Sequence, residues 1–173
     1  GQFYGRGGWA PHGYYQGRGS YETYNFTGAN LLRKYGDQWQ RQFIDLCHRR
    51  LKSWGMNTIA NWSEPKVYAQ RKTPYTANIS MRSRSIEGSS GYWGKFPDPF
   101  DPAFRQSLTK RMAGQQGKAI GDPWCIGYFV SNELSWGNDL SLAVATLASP
   151  ADQPAKRVFL DDLRKKYDSI ERL

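Results

Sequence analysis

Apolar residues recur with helical and strand-like spacing along the chain, and this pattern predicts helices that alternate with short strands. Between residues 37 and 55 they return every three or four positions, which places them on one helix face. These residues are Trp39, Phe43, Cys47, Leu51 and Trp54. We expect Asp37 to cap this helix and Gly55 to end it.

Two more helices are predicted further along. Asp101-Pro102 is a cap followed by a first-turn proline, and apolar residues then recur every four positions at Phe104, Leu108 and Met112. A last helix begins after a proline-containing connection over residues 149–154. It carries Phe159, Leu163, Tyr167 and Ile170, and the chain is expected to stop at Leu173 inside it.

Three segments predict strands: residues 56–62, 74–81 and 125–130, the last an unbroken apolar run typical of a buried strand. Strands that alternate with helices indicate parallel βα units, so the fold class is α/β. Residues 1–30 contain eight Gly and five Tyr and are interpreted as a covering loop. The long Ser, Gly and aromatic segment before Phe100 is interpreted as a functional loop.

Candidate chemistry follows the third predicted strand directly, in residues 131–137. Glu133 is preceded by the amide of Asn132 and followed by the indole of Trp136. In parallel α/β folds the carboxyl ends of strands carry the catalytic side chains. A carboxylic acid, an amide and an indole can protonate, hydrogen-bond and stack on a sugar. The leading hypothesis is a glycosidase acid/base, whereas Asn-Glu at a strand end can also be an ordinary turn.

The net charge of +9 raises the question of a nucleic-acid partner. Residues 31–72 hold nine basic and three acidic groups, and residues 103–120 hold four basic groups and no acid. Both stretches are predicted to be mostly helical, where charge runs usually form solvated faces. Around the candidate site, residues 121–150 carry only Asp122, Glu133 and Asp139 as charged groups. We therefore expect no nucleic-acid partner.

Metal, cofactor and membrane roles find no support in the sequence. The two His and two Cys show no metal-ligand spacing, so neither a site metal nor a cofactor is expected. Cys47 and Cys125 occupy apolar positions and suit buried thiols as well as a disulfide. No run approaches about 18 apolar residues, so no membrane partner is expected.

Several separate blocks, in the same order, resemble family 50 glycoside hydrolases, the β-agarase family. They span residues 30–36, 50–59, 61–63, 92–94, 97–102 and 122–137. The resemblance implies a retaining enzyme on a (β/α)8 barrel that cleaves β-galactosidic bonds in agarose-type galactan. It assigns Glu133 as the acid/base, because an Asn precedes that Glu at the end of the fourth strand. It also implies a nucleophilic Glu on the seventh strand, which no residue here matches.

With 173 residues against about 250 for a complete barrel, we expect a single partial catalytic domain. It would contain roughly the second to fourth strands of the barrel. Its parts would be the loop region 1–30, the βα units 31–137 and a truncated helical part 138–173. The complete enzyme is expected to be secreted or periplasmic, and this chain alone is expected to be inactive.

The resemblance also frames the substrate-binding candidates. Asn132 is expected to bind the 2-hydroxyl of the sugar at the cleavage point. Trp62, Tyr92, Trp93 and Trp136 can stack on sugar rings or pack in the core. Asn61 can bind a hydroxyl or satisfy backbone groups. A β-galactosidase or another glycan hydrolase of the same clan, and a non-catalytic glycan- or RNA-binding module, are the alternatives.

Overall fold

The computed structural model describes residues 1–10 and 12–172, which form a mixed α/β structure with small sheets. The chain divides into two compact units, Gly1–Tyr75 and Thr76–Leu173. No helix within the described residues is both long enough and apolar enough to cross a bilayer.

The first unit combines a hairpin with three helices and a short 3-10 turn over residues 36–38. Its elements are β1 (Tyr4–Gly7), β2 (Tyr21–Tyr24), α1 (Phe26–Tyr35), α2 (Trp39–Ser53) and α3 (Pro65–Tyr68). β1 and β2 pair antiparallel, with Tyr4 opposite Tyr24 and Gly7 opposite Tyr21. The covering loop predicted for residues 1–30 is therefore wrong for the eight residues of β1 and β2 and for residues 26–30, which begin α1; Pro11 lies outside the described part. Rings stacked within the hairpin, such as Tyr15 on Tyr21 at 4.3 Å, favour the paired conformation.

The second unit contains two paired strands and three helices. Its elements are β3 (Tyr75–Ile79), whose first residue belongs to the first unit, α4 (Pro102–Ala113), β4 (Cys125–Val130), α5 (Ser141–Ala148) and α6 (Pro154–Tyr167). A 3-10 turn covers Ile170–Arg172. The predicted cap of α4 is confirmed, because Asp101 Oδ1 accepts a hydrogen bond from Ala103 N at 2.9 Å.

Helix α2 carries four of the five residues predicted for its apolar face. Trp54 follows the last helical residue and is 63% exposed, so the prediction is wrong for that residue. Asp37 does not cap the helix; the residue lies in the preceding 3-10 turn, and the cap position belongs to Gln38. The predicted end is confirmed. Gly55 has a φ of 71°, its N–H donates to Lys52 O, and Met56 N–H donates to Leu51 O at 2.9 Å. These two bonds form a Schellman motif, which needs a left-handed residue at that point.

The strand predicted over residues 56–62 is wrong. Only Ile59 pairs, as one parallel bridge with Tyr75, and its N–H donates to Pro74 O at 2.8 Å. Asn61 Oδ1 accepts the N–H of Trp62, and Trp62 has a φ of 64°. This local side-chain bond and the left-handed residue take the chain out of the extended conformation that a ladder requires.

The other two predicted strands are present, with one correction. Ser131 N–H, just after β4, donates to the oxygen of Ile79 at the end of β3, at 2.8 Å. This bond brings the carboxyl ends of the two strands side by side, as in a parallel pair. β4 is not buried as expected: Ile126 is 61% exposed. Within the described residues its sheet has two strands, which leaves part of its apolar surface uncovered.

Helix α6 ends earlier than predicted. Asp168 has a φ of 66° and follows the last helical residue, Tyr167. Ile170 is therefore not on the apolar face of the helix but lies in the 3-10 turn, 85% exposed. Leu173, where the helix was expected to stop, lies outside the described residues.

A small apolar core and a buried carboxylate hold the second unit together. Ile86, Phe96, Ala145 and Ala155 form the core cluster. The side chain of Asp98 is fully buried, and its Oδ2 accepts hydrogen bonds from Gln153 Nε2 at 2.5 Å and from Ala155 N at 3.0 Å. Since Ala155 lies in the first turn of α6, Asp98 caps that helix from a distant part of the chain.

Candidate active site

The loop after β4 brings the candidate acid to the surface through two unusual backbone conformations. Ser131 has a φ of 61° and Glu133 a φ of 44°, both in the region that glycine normally occupies. Each such residue costs of order 1–3 kcal/mol and persists only where neighbouring contacts hold it. Asn132 and Glu133 are both exposed. The strand end thus presents its amide and its carboxylate to solvent at an energetic cost.

A tight turn over residues 91–94 carries two of the predicted aromatic residues. Gly94 N–H donates to Gly91 O at 3.1 Å, so Tyr92 and Trp93 occupy the two central positions. Gly91 packs against the strand-end loop: a Cβ placed on it would lie 2.0 Å from Ser135 Oγ. Only a residue without a side chain permits this approach.

The turn and the strand-end loop meet at the candidate acid. Trp93 Nε1–H donates a hydrogen bond to Glu133 Oε2. The Trp93 ring also meets the Tyr92 ring edge-on, with centroids 4.7 Å apart and an interplanar angle of 88°. The structure therefore brings Glu133, Trp93 and Tyr92 together. Trp93 was predicted to stack on sugar or to pack in the core, and its bond to the acid was not foreseen.

Trp136 is anchored on one side and open on the other. Its ring meets the ring of the core residue Phe96 edge-on, with centroids 4.8 Å apart, while 62% of the residue remains exposed. An indole that is fixed at one edge and accessible elsewhere suits stacking on the apolar face of a sugar. The ring thus makes one packing contact with the core, and its stacking on a sugar stays a prediction.

Asn61 and Trp62 belong to the first unit. Trp62 is 70% exposed, and the side chain of Asn61 is engaged with the backbone N–H of Trp62 at 3.0 Å. Asn61 Oδ1 thus satisfies a backbone group, while its binding of a sugar hydroxyl stays a prediction. The exposed indole of Trp62 is held by a left-handed backbone, as Glu133 is.

Residues that support the site were missed in the sequence. Ser89 Oγ accepts Phe96 N–H at 2.8 Å and donates to Ile86 O at 2.6 Å, which closes the base of the segment carrying the turn. Asp98 and Gln153 fix the same segment to α6. The Pro-Asp-Pro sequence around Asp98 was a local signal of an ordered turn, but its partner 55 residues away left no such signal.

An ion pair adds to the base of this segment. Arg84 Nη1 lies 2.7 Å from Asp152 Oδ2. The hydrogen bond from Arg84 lowers the pKa of Asp152, against an opposing effect of desolvation.

On β4, burial raises the pKa of Tyr128, and the nearby Cys125 adds to that effect. Among the described residues, no group of three or more His, Cys, Asp or Glu side chains is arranged to hold a metal ion.

An exposed carboxylate and amide at the carboxyl end of a strand, bordered by accessible aromatic rings, are typical of enzymes that act on carbohydrates.

No protein-family model matches the chain. Two curated relatives from Vibrio sp. (strain JT0107) match the chain in sequence. β-Agarase B is 38% identical over 167 residues, and β-agarase A is 34% identical over 125 residues. The matches cover 88% and 68% of this chain.

Solved structures give the same result. The chain superposes on an exo-β-agarase with a TM-score of 0.87 at 26% identity, covering 98% of this chain. It superposes on the agarase AgWH50C with a TM-score of 0.83 at 32% identity, covering 99%. For PfGH50B the TM-score is 0.84 at 26% identity, covering 98%. The chain therefore belongs to the family 50 glycoside hydrolases, the family that the sequence blocks predicted.

The chain matches only part of each relative. It spans 17% of β-agarase B and 12% of β-agarase A. It spans 24%, 26% and 25% of the three solved chains. The activity of the complete protein that contains this sequence is therefore a matter for proposal.

Proposed function

We propose that the complete protein is a retaining β-agarase and that this chain supplies its general acid/base, Glu133. The observation that carries the proposal is the placement of Glu133 three residues after β4, exposed and hydrogen-bonded by Trp93. The homology to β-agarases supports the reaction class, and a (β/α)8 barrel is the proposed setting of the β3 and β4 strands.

In the proposed reaction Glu133 transfers its proton to the glycosidic oxygen as the bond to the anomeric carbon breaks. A second carboxylate, about 5 to 5.5 Å from the first in a retaining enzyme, forms a bond to that carbon. Glu133, now a carboxylate, takes a proton from water as the water displaces the second carboxylate. The resemblance implies that the second group is a Glu on the seventh strand. Since no residue here matches it, we propose that this chain alone is inactive.

Asn132 is proposed to hold the 2-hydroxyl of the sugar at the cleavage point. Its side chain is exposed beside Glu133, where a bound sugar could reach it. Such a bond strengthens as positive charge develops on the sugar, so it acts mainly in the transition state. Replacing Asn132 with Ala should therefore lower kcat more than it raises KM.

Exposed aromatic residues are proposed to stack on sugar rings of the polysaccharide. Trp136 and Tyr92 have accessible rings in the second unit. Trp62 of the first unit also has an exposed ring and is proposed, by itself, to contact the polysaccharide. The proposed partner is an agarose-type galactan. A polymer of this kind cannot cross a membrane intact, so we place the complete protein outside the cytoplasm, secreted or periplasmic.

The test uses the complete protein on agarose and on aryl galactosides. Hydrolysis of agarose with retained configuration is the expected result, whereas activity on aryl galactosides alone would identify a β-galactosidase instead. Glu133→Ala should abolish agarose hydrolysis, and azide should restore turnover of an activated aryl substrate by attacking the glycosyl-enzyme. Binding of polysaccharide or RNA without any hydrolysis would favour the non-catalytic alternative.

A further inference from the structure

We propose that Trp93 is a positioning residue that fixes the carboxyl group of Glu133 and directs its proton to Oε1. This inference rests on the proposed role of Glu133 as the acid/base. It adds to the roles expected for Trp93, which were stacking on a sugar ring and packing in the core, because the indole N–H is directed at the acid.

The direction of the hydrogen bond decides which oxygen carries the proton. An indole nitrogen donates and cannot accept, so Glu133 Oε2 must act as the acceptor. A proton on Oε2 would reduce its capacity to accept from Trp93, whereas a proton on Oε1 leaves that bond intact. Oε1 therefore gives its proton to the glycosidic oxygen and later takes one from water. Trp93 keeps its own proton throughout.

Glu133 needs such a partner because its own surroundings leave it free to move. It is exposed, and its side chain has three rotatable bonds. A general acid has to stay within hydrogen-bond reach of the oxygen that it protonates. Misplacement of a reacting group by about 1 Å can cost on the order of 100-fold in rate.

Trp93 is itself well placed to fix another group. The turn is closed by the Gly94 N–H bond to Gly91 O. It is held to the strand-end loop where Gly91 packs on Ser135, two residues from the Trp93–Glu133 bond in both segments. Phe96, which is buried, meets Trp136 further along. Three contacts thus join the two segments, and one of them is the bond to the acid.

The test replaces Trp93 in the complete protein in two ways. Phe removes the N–H and shrinks the ring, whereas 3-benzothienylalanine keeps the size of the indole but has sulfur in place of N–H. Rates are measured on an agarose oligosaccharide, whose leaving group must be protonated, and on a dinitrophenyl galactoside, whose leaving group needs no proton. Formation of the glycosyl-enzyme is followed in the pre-steady state.

Both replacements should lower kcat on the oligosaccharide by roughly 10- to 100-fold with little change in KM. Formation of the glycosyl-enzyme from the activated substrate should change by less than about threefold, because that step needs no acid. In the Glu133→Gln background, the sulfur analogue should have no further effect on the oligosaccharide, since the two residues act through one bond.

Two results would overturn the inference, and they differ from each other. Wild-type kcat for the sulfur analogue, together with a loss for Phe, would mean that Trp93 only stacks on sugar, while Glu133 keeps its role. Undiminished agarose hydrolysis by Glu133→Gln would overturn both the inference and the proposed function. Thermal melting of the sulfur analogue serves as the folding control.

Discussion

Two carboxylates of the second unit, Asp98 and Glu133, occupy opposite environments. Asp98 is fully buried and accepts from Gln153 Nε2, Ala155 N and Phe100 N. Glu133 is exposed, has a left-handed backbone and accepts from Trp93. Burying a polar group is costly unless hydrogen bonds compensate, as they do at Asp98. An exposed acid with one oxygen held by Trp93 instead suits the proposed role of proton donor.

The two carboxylates lie in two of the sequence blocks that resemble family 50 glycoside hydrolases, and we infer different roles for these blocks. The Pro-Asp-Pro block is structural: its carboxylate joins residues 98–100 to the start of α6. The Asn-Glu block carries the proposed chemistry. The turn over residues 91–94 precedes the Pro-Asp-Pro block: Ser89 Oγ closes its base by accepting Phe96 N–H, and Trp93 of the turn donates to Glu133.

The largest expected effect on stability comes from Asp98→Ala. This replacement leaves Gln153 Nε2, Ala155 N and Phe100 N without an acceptor, which costs about 3 kcal/mol or more. Hydrogen exchange at the Phe100 and Ala155 amides of the complete protein should accelerate on the order of 100-fold. Asp98→Asn, which keeps one carbonyl oxygen, should be intermediate. Unchanged exchange in both variants would show that the buried carboxylate does not hold this region.

Gly91→Ala tests whether the packing of the turn on the strand-end loop helps to fix the position of Glu133. The added Cβ would lie 2.0 Å from Ser135 Oγ and 2.8 Å from Gly94 O, so the turn must shift. We expect agarose hydrolysis to fall roughly 10- to 100-fold. Adding Ser135→Gly removes the closest contact and should recover part of the rate. If the single and double variants have equal activity, the packing of Gly91 on Ser135 does not matter to the acid.

The first unit also contains a buried polar side chain, His48, with fewer hydrogen bonds than Asp98 has in the second unit. His48 is buried; its Nε2 donates to Val67 O at 3.0 Å, and its Nδ1 lies 3.0 Å from Thr73 Oγ1. Thr73→Val should cost about 1 kcal/mol, because Nδ1 loses its partner. Exchange of the backbone amides around His48 should accelerate about fivefold. Thr58→Val, which removes an exposed hydroxyl, is the matched control and should change nothing measurable.

The smallest effect is expected from the exposed ion pair of Arg84 with Asp152. Because the folded pKa of Asp152 lies below its unfolded value of about 3.9, the pair contributes stability above that pH. The contribution is lost as pH falls through the lowered folded pKa. Asp152→Asn should therefore melt slightly below wild type at pH 6 and equal to it near pH 2. A melting difference that grows on acidification would contradict this assignment.

Local signals in the sequence predicted the elements that depend on neighbouring residues. The apolar run at β4, the Asp101-Pro102 cap and Gly55 at the end of α2 are all confirmed. Each depends on backbone preferences within a few positions. The position of Glu133 directly after a strand was visible for the same reason, while its catalytic role stays a prediction.

Long-range contacts explain what the sequence did not reveal. The carboxylate of Asp98 depends on Gln153, and the side chain of Glu133 on Trp93, 40 residues earlier. A local effect accounts for the strand predicted at residues 56–62, which reduces to one bridge: Met56 N–H is used to end α2, and Asn61 Oδ1 accepts the Trp62 N–H. The pattern of residues alone does not show whether a backbone N–H will bond to a neighbouring strand or to a nearby side chain.

The most direct test of the contrast replaces both carboxylates by amides and measures agarose hydrolysis at a temperature where each variant is folded. Glu133→Gln should lose roughly 10²- to 10⁴-fold in rate, the usual contribution of general acid–base catalysis. Asp98→Asn, normalised to its folded fraction, should lose far less. If Glu133→Gln hydrolyses agarose at the wild-type rate, Glu133 is not the acid/base and the central claim is wrong.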